Sequence, residues 1–226
     1  MNSKYFRLSE LISLYPQENN NARFYEFLKG SCEDNPDRVK AFSLIEQDLS
    51  ELDDKSWFFL KNETKNLCVK KDKNRGHSKL FDRLNEARGY CFLKKLGCSN
   101  IKFITTEKNN KTPDLVGYLS TSQVLCEVKT ISISDELINS RKNLLGRSAQ
   151  NTLTKGMINK LKSTFDDAAC QLNSYSTSPG TKKYIYLVIK FDDDLDYRNE
   201  LNIETKNLFK VMNLDCVNLE IRNEDY

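Results

Sequence analysis

The stretch from Thr112 to Thr130 constrains the fold more than any other part of the chain. Two segments within it, 114–119 and 123–130, are rich in Val, Leu, Tyr and Cys with polar residues between them. This pattern is typical of β-strands, and the short Ser/Thr sequence that separates the segments is typical of a turn. The stretch therefore predicts a β-hairpin whose loop consists of Ser120 and Thr121.

The hairpin predicts which side chains face each other. With a two-residue loop, Asp114 lies directly opposite Glu127, with their Cβ atoms roughly 5 Å apart. Side chains alternate along a strand, so Lys129 lies on the same face as Glu127. Two adjacent carboxylates repel each other unless a cation lies between them, and oxygen ligands of this kind suit Mg²⁺ or Mn²⁺. A divalent-metal site is therefore predicted at Asp114 and Glu127.

The segments around the hairpin predict an α+β unit. Residues 77–96 have a helical pattern that ends at Gly97, and residues 158–175 carry an amphipathic apolar stripe. Three further segments have the β-branched and aromatic content of strands: 101–106, 184–191 and 216–221. The predicted order from residue 77 is helix, strand, strand, strand, helix, strand.

The first 75 residues predict a separate helical region, because apolar residues recur in it at helical spacing. Within this region, the apolar run Trp57 to Leu60 predicts a core strand or a docking edge, and a base-stacking platform is an open alternative. The polar, basic sequence at 70–76 is typical of a linker. We therefore predict a helical N-terminal region, 1–75, followed by the core, 76–226.

Pro113-Asp114 followed by Glu127-Val128-Lys129 resembles the signature of the PD-(D/E)XK nuclease superfamily. The order of predicted elements agrees with the core of that fold, so the resemblance implies a mixed central sheet flanked by helices. It also implies that the acidic pair binds one or two divalent ions. The lysine is then expected to position the attacking water or help to deprotonate it, while the metal stabilises charge on the scissile phosphate.

The resemblance implies two further site residues. Many members carry a glutamate on the helix before the hairpin, which corresponds here to Glu86 as a third acidic ligand; the alternative is a surface glutamate. Gln171 and Tyr175 resemble the Q-x-x-x-Y motif of RecB-type nucleases, in which the glutamine lies near the metal site. Tyr175 also continues the apolar stripe of its helix, so a place in the core is an open alternative for it.

Positive charge is concentrated in one segment. The net charge of the chain is only +3, but residues 137–165 contain six basic residues and no Asp or Glu. A solvated surface usually mixes both signs, so this segment predicts a surface that contacts phosphates. The predicted nucleic-acid-binding residues are Arg141, Lys142, Arg147, Lys155, Lys160 and Lys162.

Composition argues against several other classes of protein. The seven cysteines include no C-x-x-C pair and His77 is the single histidine, so a zinc site or a disulfide framework is not expected. No apolar run approaches the roughly 20 residues needed to cross a bilayer, and the first ten residues lack the apolar core of a signal peptide. We therefore predict a cytoplasmic protein without a membrane partner.

The sequence thus predicts a Mg²⁺- or Mn²⁺-dependent nuclease with nucleic acid as its partner, and the family resemblance favours DNA. Two alternatives stay open: a non-catalytic nucleic-acid-binding or assembly protein that keeps the fold, and an RNA-cleaving toxin or effector. A homodimer is compatible with the sequence, which decides neither the oligomeric state nor endo versus exo action.

Overall fold

The computed structural model describes residues 5–14, 36–69, 78–105, 111–132, 152–190, 198–211 and 218–223. The chain divides into two compact units, and the boundary between them falls between Leu96 and Gly97 in the sequence. The sequence placed this boundary at 75/76. The difference arises because the helices of residues 78–95 pack against the preceding helices. Leu80 and Leu84, in the first of these helices, are buried.

The helical unit contains five described helices: α1 (Phe6–Ser13), α2 (Pro36–Ser50), α3 (Asp54–Val69), α4 (Ser78–Leu84) and α5 (Glu86–Lys95). Side chains of the first two helices provide hydrogen-bond partners for backbone groups at each other's ends. The Glu46 carboxylate accepts hydrogen bonds from the backbone N–H groups of Arg7 and Leu8 at 2.8 and 2.9 Å, at the start of α1. In return, the Arg7 guanidinium donates to the carbonyl oxygens of Leu49 and Leu52 at the end of α2.

The apolar run 57–60 lies in α3, so the prediction of a strand there was wrong. Asp53 caps this helix, because its Oδ1 accepts a hydrogen bond from the backbone N–H of Ser56 at 2.7 Å. Trp57 and Leu60 are buried, whereas Phe58 is 63% exposed. Burial therefore recurs every third residue, as in a helix, and does not alternate as in a half-buried strand.

The second unit contains a mixed five-stranded sheet in the order β1-β2-β3-β4-β5. Its strands are β1 (Ser99–Phe103), β2 (Leu115–Leu119), β3 (Ser122–Ser132), β4 (Lys182–Lys190) and β5 (Asn218–Asn223). The first three strands are antiparallel neighbours, and β3, β4 and β5 are parallel neighbours. The parallel connections pass through α6 (Lys155–Tyr175) and α7 (Arg198–Val211). The predicted α+β class is confirmed. The predicted order of elements agrees from β1 onward, but the single helix predicted over residues 77–96 is two helices, Ser78–Leu84 and Glu86–Lys95.

The core of this unit lies between the sheet and α6. Four residues of the apolar stripe predicted on this helix are buried: Leu161, Phe165, Ala168 and Leu172. Thr154 caps the helix by accepting a hydrogen bond from the N–H of Met157. The Phe165 ring of α6 and the Phe209 ring of α7 lie 5.6 Å apart between centroids. The buried side chains of this core include Leu125, Ile131, Leu161, Phe165, Ala168, Leu172, Ile185, Leu187, Ile189, Leu201 and Phe209.

The hairpin has the predicted register. Leu115 pairs with Cys126 and Leu119 pairs with Ser122, which leaves Ser120 and Thr121 as the loop. Ser120 closes this tight loop in the left-handed region, at a φ of 55°. Within the described part of the chain, no helix combines the length and the apolar character that crossing a membrane requires.

Candidate active site at the β2–β3 hairpin

Asp114 lies directly before β2, where the hairpin register places it opposite Glu127. Its backbone carbonyl accepts a hydrogen bond from the N–H of Ile104 at 2.9 Å, which ties this end of the hairpin to the residue after β1. Its Oδ2 accepts a hydrogen bond from the backbone N–H of Val128 at 2.8 Å. The Asp114 carboxylate is therefore held over β3 beside Glu127, as the sequence predicted.

Glu127 is a buried carboxylate with two side-chain donors. Its side chain is 1% exposed. Oε1 accepts a hydrogen bond from Lys129 Nζ, and Oε2 accepts one from Gln171 Nε2 at 2.9 Å. The structure thus brings together four of the predicted site residues, Asp114, Glu127, Lys129 and Gln171.

Burial and the neighbouring charge of Asp114 raise the pKa of Glu127 to about 7, although Lys129 opposes this shift. Burial also acts to lower the pKa of Lys129, but the charge and hydrogen bond of Glu127, with smaller contributions from Asp114 and Asp167, outweigh burial and raise it. The two shifts have a common cause, because two carboxylates share one lysine in a region that water reaches poorly. The site therefore carries an excess of negative charge.

Gln171 links α6 to the hairpin. Besides its hydrogen bond to Glu127, its Nε2 donates to the backbone carbonyl of Thr112 at 2.6 Å. The amide therefore fixes the Glu127 carboxylate and the segment before Asp114 with one group. Tyr175, the other residue of the predicted motif, is 44% exposed, so the alternative that places its side chain in the core was wrong.

Glu86 belongs to the helical unit and lies at the first turn of α5. Its side chain is buried, and its Oε1 accepts a hydrogen bond from Arg83 Nη1 at 2.5 Å. The alternative of a surface glutamate was therefore wrong. Its role as a third acidic ligand stays a prediction.

The predicted phosphate-contacting residues are described only in part. Arg141, Lys142 and Arg147 lie outside the described residues. Lys155 and Lys162 are exposed on α6. Lys160 Nζ donates a hydrogen bond to the backbone carbonyl of Ser132 at 2.7 Å, so this ammonium ties α6 to the end of β3.

Sequence reasoning missed Asp167. This residue is exposed on α6 one turn before Gln171, and its charge contributes to the raised pKa of Lys129. The signal was present in the sequence. Polar residues recur on α6 at steps of four, three and four beside the buried apolar stripe: Lys160, Thr164, Asp167 and Gln171. Such spacing places these side chains along one line of the helix.

The donor chemistry of the site fits Mg²⁺ or Mn²⁺. Across the ranges that the structure describes, no three or more His, Cys, Asp or Glu side chains form a group that could hold a metal ion. However, Mg²⁺ in proteins commonly takes one or two carboxylates and keeps several waters, which two carboxylates can satisfy. The excess negative charge around Glu127 is what a divalent cation would neutralise.

Comparison of the chain with protein-family models, with curated proteins and with solved structures finds no match. The function is therefore argued from the geometry and electrostatics of the site.

Proposed function

We propose that this chain is a divalent-metal-dependent nuclease with a PD-(D/E)XK-type core, and that it hydrolyses phosphodiester bonds in DNA rather than RNA. One observation carries the proposal. Glu127 is almost fully buried, faces Asp114 across the hairpin and accepts a hydrogen bond from Lys129, which lies on the same face of β3. The pKa of Glu127 is raised to about 7. Strong perturbation of a carboxylate by burial and a like charge is typical of functional sites.

In this proposal, Asp114 and Glu127 hold Mg²⁺ or Mn²⁺. A metal bound there would supply a Lewis acid that activates water and stabilises charge on the phosphate. Gln171 fixes the orientation of Glu127, and the N–H of Val128 fixes that of Asp114. The protein thus holds both carboxylates in place before substrate arrives, which reduces the reorganisation that the reaction requires.

The state of Lys129 limits its role. Its pKa is raised above the ordinary value, so the ammonium is protonated in the resting protein near neutral pH. A protonated lysine donates hydrogen bonds and cannot accept a proton. We therefore assign Lys129 to orienting the attacking water and stabilising negative charge on the phosphate, rather than to acting as a general base in the resting state.

The proposal is tested by incubating the purified protein with supercoiled plasmid, linear DNA and RNA, with and without Mg²⁺ or Mn²⁺. Cleavage of DNA that requires the metal and disappears in Asp114→Asn is the expected result. This substitution removes one charge at nearly constant shape, so melting of the variant checks that the fold survives. Cleavage that persists in Asp114→Asn would rule out the assigned site.

The same assay separates the alternatives. Metal-dependent cleavage confined to RNA would favour an RNA-cleaving toxin or effector. A wild type that binds nucleic acid tightly but cuts neither DNA nor RNA in Mg²⁺ or Mn²⁺ would favour a non-catalytic binding or assembly protein.

A further inference from the structure

The polar side chains of Lys160, Thr164, Asp167 and Gln171 form one line along α6, which we call the polar line. Two hydrogen bonds join this line to β3: Lys160 Nζ donates to the carbonyl of Ser132, and Gln171 Nε2 donates to Glu127 Oε2. Because the lower-numbered helix residue meets the higher-numbered strand residue, α6 runs antiparallel to β3 along this line. The two hydrogen bonds therefore fix the helix against the strand near both ends of the line.

The spacing of the two anchors determines what lies between them. A helix rises about 1.5 Å per residue, so the anchors on α6 are roughly 16 Å apart along its axis. A strand rises about 3.3 Å per residue, so Glu127 and Ser132 are also roughly 16 Å apart. Asp167 lies about 6 Å from Gln171 along the helix, which corresponds to about two residues of strand. Asp167 is therefore level with Lys129.

Charge leads to the same pairing. Asp167 is among the groups whose negative charge favours the protonated form of Lys129. Lys129 Nζ has three donor positions and uses one of them on Glu127 Oε1. The side chain of Asp167 is exposed, so it can turn toward the ammonium at little cost in desolvation.

We propose that Asp167 is a positioning residue that holds the Lys129 ammonium beside the carboxylate pair when the charge of Glu127 is neutralised. This inference rests on the proposed function, because neutralisation is what a divalent cation bound by Glu127 would cause. When a cation neutralises Glu127 and Asp114 together, the four-carbon stem of lysine is free to carry the ammonium away from the site unless another carboxylate holds it. Asp167 offers such a carboxylate, outside the pair, from a helix that the two anchors hold in place.

Neutralisation can be imitated without a metal or a substrate. Glu127→Gln removes the charge of the first partner at nearly constant shape. In this background, the mobility of the Lys129 ammonium is measured by ¹⁵N relaxation of the lysine side chains at one fixed pH. Its signal is assigned by its loss in Lys129→Arg. Melting of each variant by circular dichroism checks that it is folded.

The matched control is Asp166→Asn. Asp166 is also exposed on α6 and carries the same charge, but it lies about 100° around the helix from Asp167. We expect Glu127→Gln with Asp167→Asn to lower the ammonium order parameter below that of Glu127→Gln alone, while the remaining charge of Asp114 keeps it above that of an exposed lysine such as Lys162. Glu127→Gln with Asp166→Asn keeps the order of the single variant, and Glu127→Gln with Asp167→Glu restores most of it. Equal order in the Asp166 and Asp167 double variants would overturn the proposal.

Kinetics provide a second test in the chain that keeps Glu127. Asp167→Asn is expected to lower kcat on the order of tenfold with little change in KM, because a misplaced ammonium affects the transition state more than substrate binding. Asp166→Asn should stay within about twofold of the wild type. A change in KM with kcat unchanged would mean that Asp167 contacts substrate and does not position Lys129. A wild type that does not cleave refutes the nuclease, while the relaxation measurement still decides whether Asp167 holds Lys129.

Discussion

The carboxylates of the two units differ in what surrounds them. In the helical unit, Glu10 accepts hydrogen bonds from Lys61 Nζ at 2.9 Å and from Trp57 Nε1 at 2.7 Å, and these bonds hold its pKa below the ordinary value. Asp53 accepts the N–H of Ser56, and its pKa is lowered as well. In the sheet unit, burial and Asp114 raise the pKa of Glu127 to about 7.

This difference separates carboxylates that stabilise the fold from one that does not. Glu10 and Asp53 are partly solvated and bonded to donors, so their negative charge is favourable where they stand. Glu127 also has a lysine partner, yet burial beside a second carboxylate makes its charge unfavourable. A lysine–glutamate pair occurs in both units, so the pair itself is not diagnostic. The surroundings of the glutamate indicate function.

The largest expected effect is the loss of cleavage when the lysine of the Lys129–Glu127 pair is removed, compared with removal of the lysine of the Lys61–Glu10 pair. Lys129→Ala should lower the cleavage rate on the order of a hundredfold or more, the scale of losing a positioned electrostatic group. Affinity for nucleic acid, measured in Ca²⁺, should change little, because the lysine acts mainly in the transition state. Lys61→Ala is the matched control, since it removes the partner of Glu10 in the helical unit, and it should cleave like the wild type. Equal losses in both variants would mean that the two pairs do not differ in function.

The second effect concerns the pH dependence of stability without metal. The folded-state pKa of Glu127, about 7, lies above its ordinary value of 4.5, so between these values the folded protein binds more protons than the unfolded chain. Glu127 therefore lowers stability progressively as pH rises from about 4.5 through 7, by on the order of 3 kcal/mol at most. Glu127→Gln should remove this part of the pH dependence and raise Tm at pH 8 in EDTA by several degrees.

The measurement is a series of melting curves of both proteins between pH 5 and pH 8. Loss of the Lys129 ion pair in the variant offsets part of the gain at pH 8, so the change in slope is the decisive quantity. Parallel pH profiles for the wild type and Glu127→Gln would contradict the raised pKa.

A smaller effect is expected for the exposed lysines of α6. Replacing Lys155 and Lys162 together with Ala should make the salt dependence of nucleic-acid binding shallower by one to two units of slope, about 0.9 for each lost phosphate contact. The control replaces Lys40 and Lys65, two exposed lysines of the helical unit. The slope is measured from binding titrations at several salt concentrations. Equal changes in both double variants would place the nucleic acid elsewhere.

The sequence predicted the parts of the site that follow from the regular alternation of side chains along a β-strand. A two-residue loop permits one register in which the apolar side chains stay buried, so the apposition of Asp114 and Glu127 follows from the alternation of side chains alone. The contact of Gln171 with Glu127 was anticipated only through the resemblance of its motif. A hydrogen bond between groups 44 residues apart depends on how α6 packs, which no local pattern specifies.

The errors have physical causes as well. Four consecutive apolar residues, 57–60, fit the spacing of a strand as well as that of a helix. The cap at Asp53, which accepts a hydrogen bond from the N–H of Ser56, favours the helix. Asp167 escaped notice because an exposed aspartate on a helix resembles any solvated residue. Its significance depends on its being level with Lys129, which becomes visible only when the helix is fixed against the strand.

The smallest expected effect is the mirror image of the Glu127 prediction. Glu10→Gln removes a carboxylate whose folded-state pKa is lowered, so Glu10 contributes stability above its ordinary pKa, and that contribution is lost as pH falls through the lowered folded value. The side chain is partly exposed, so the loss at pH 7 should be about 1 kcal/mol or less. Melting curves should show Glu10→Gln slightly less stable than the wild type at pH 7, with the two converging toward pH 3. The sign is opposite to that of Glu127→Gln because donors surround one carboxylate and a second carboxylate faces the other. A Glu10→Gln variant more stable than the wild type at pH 7 would remove the distinction between the two units.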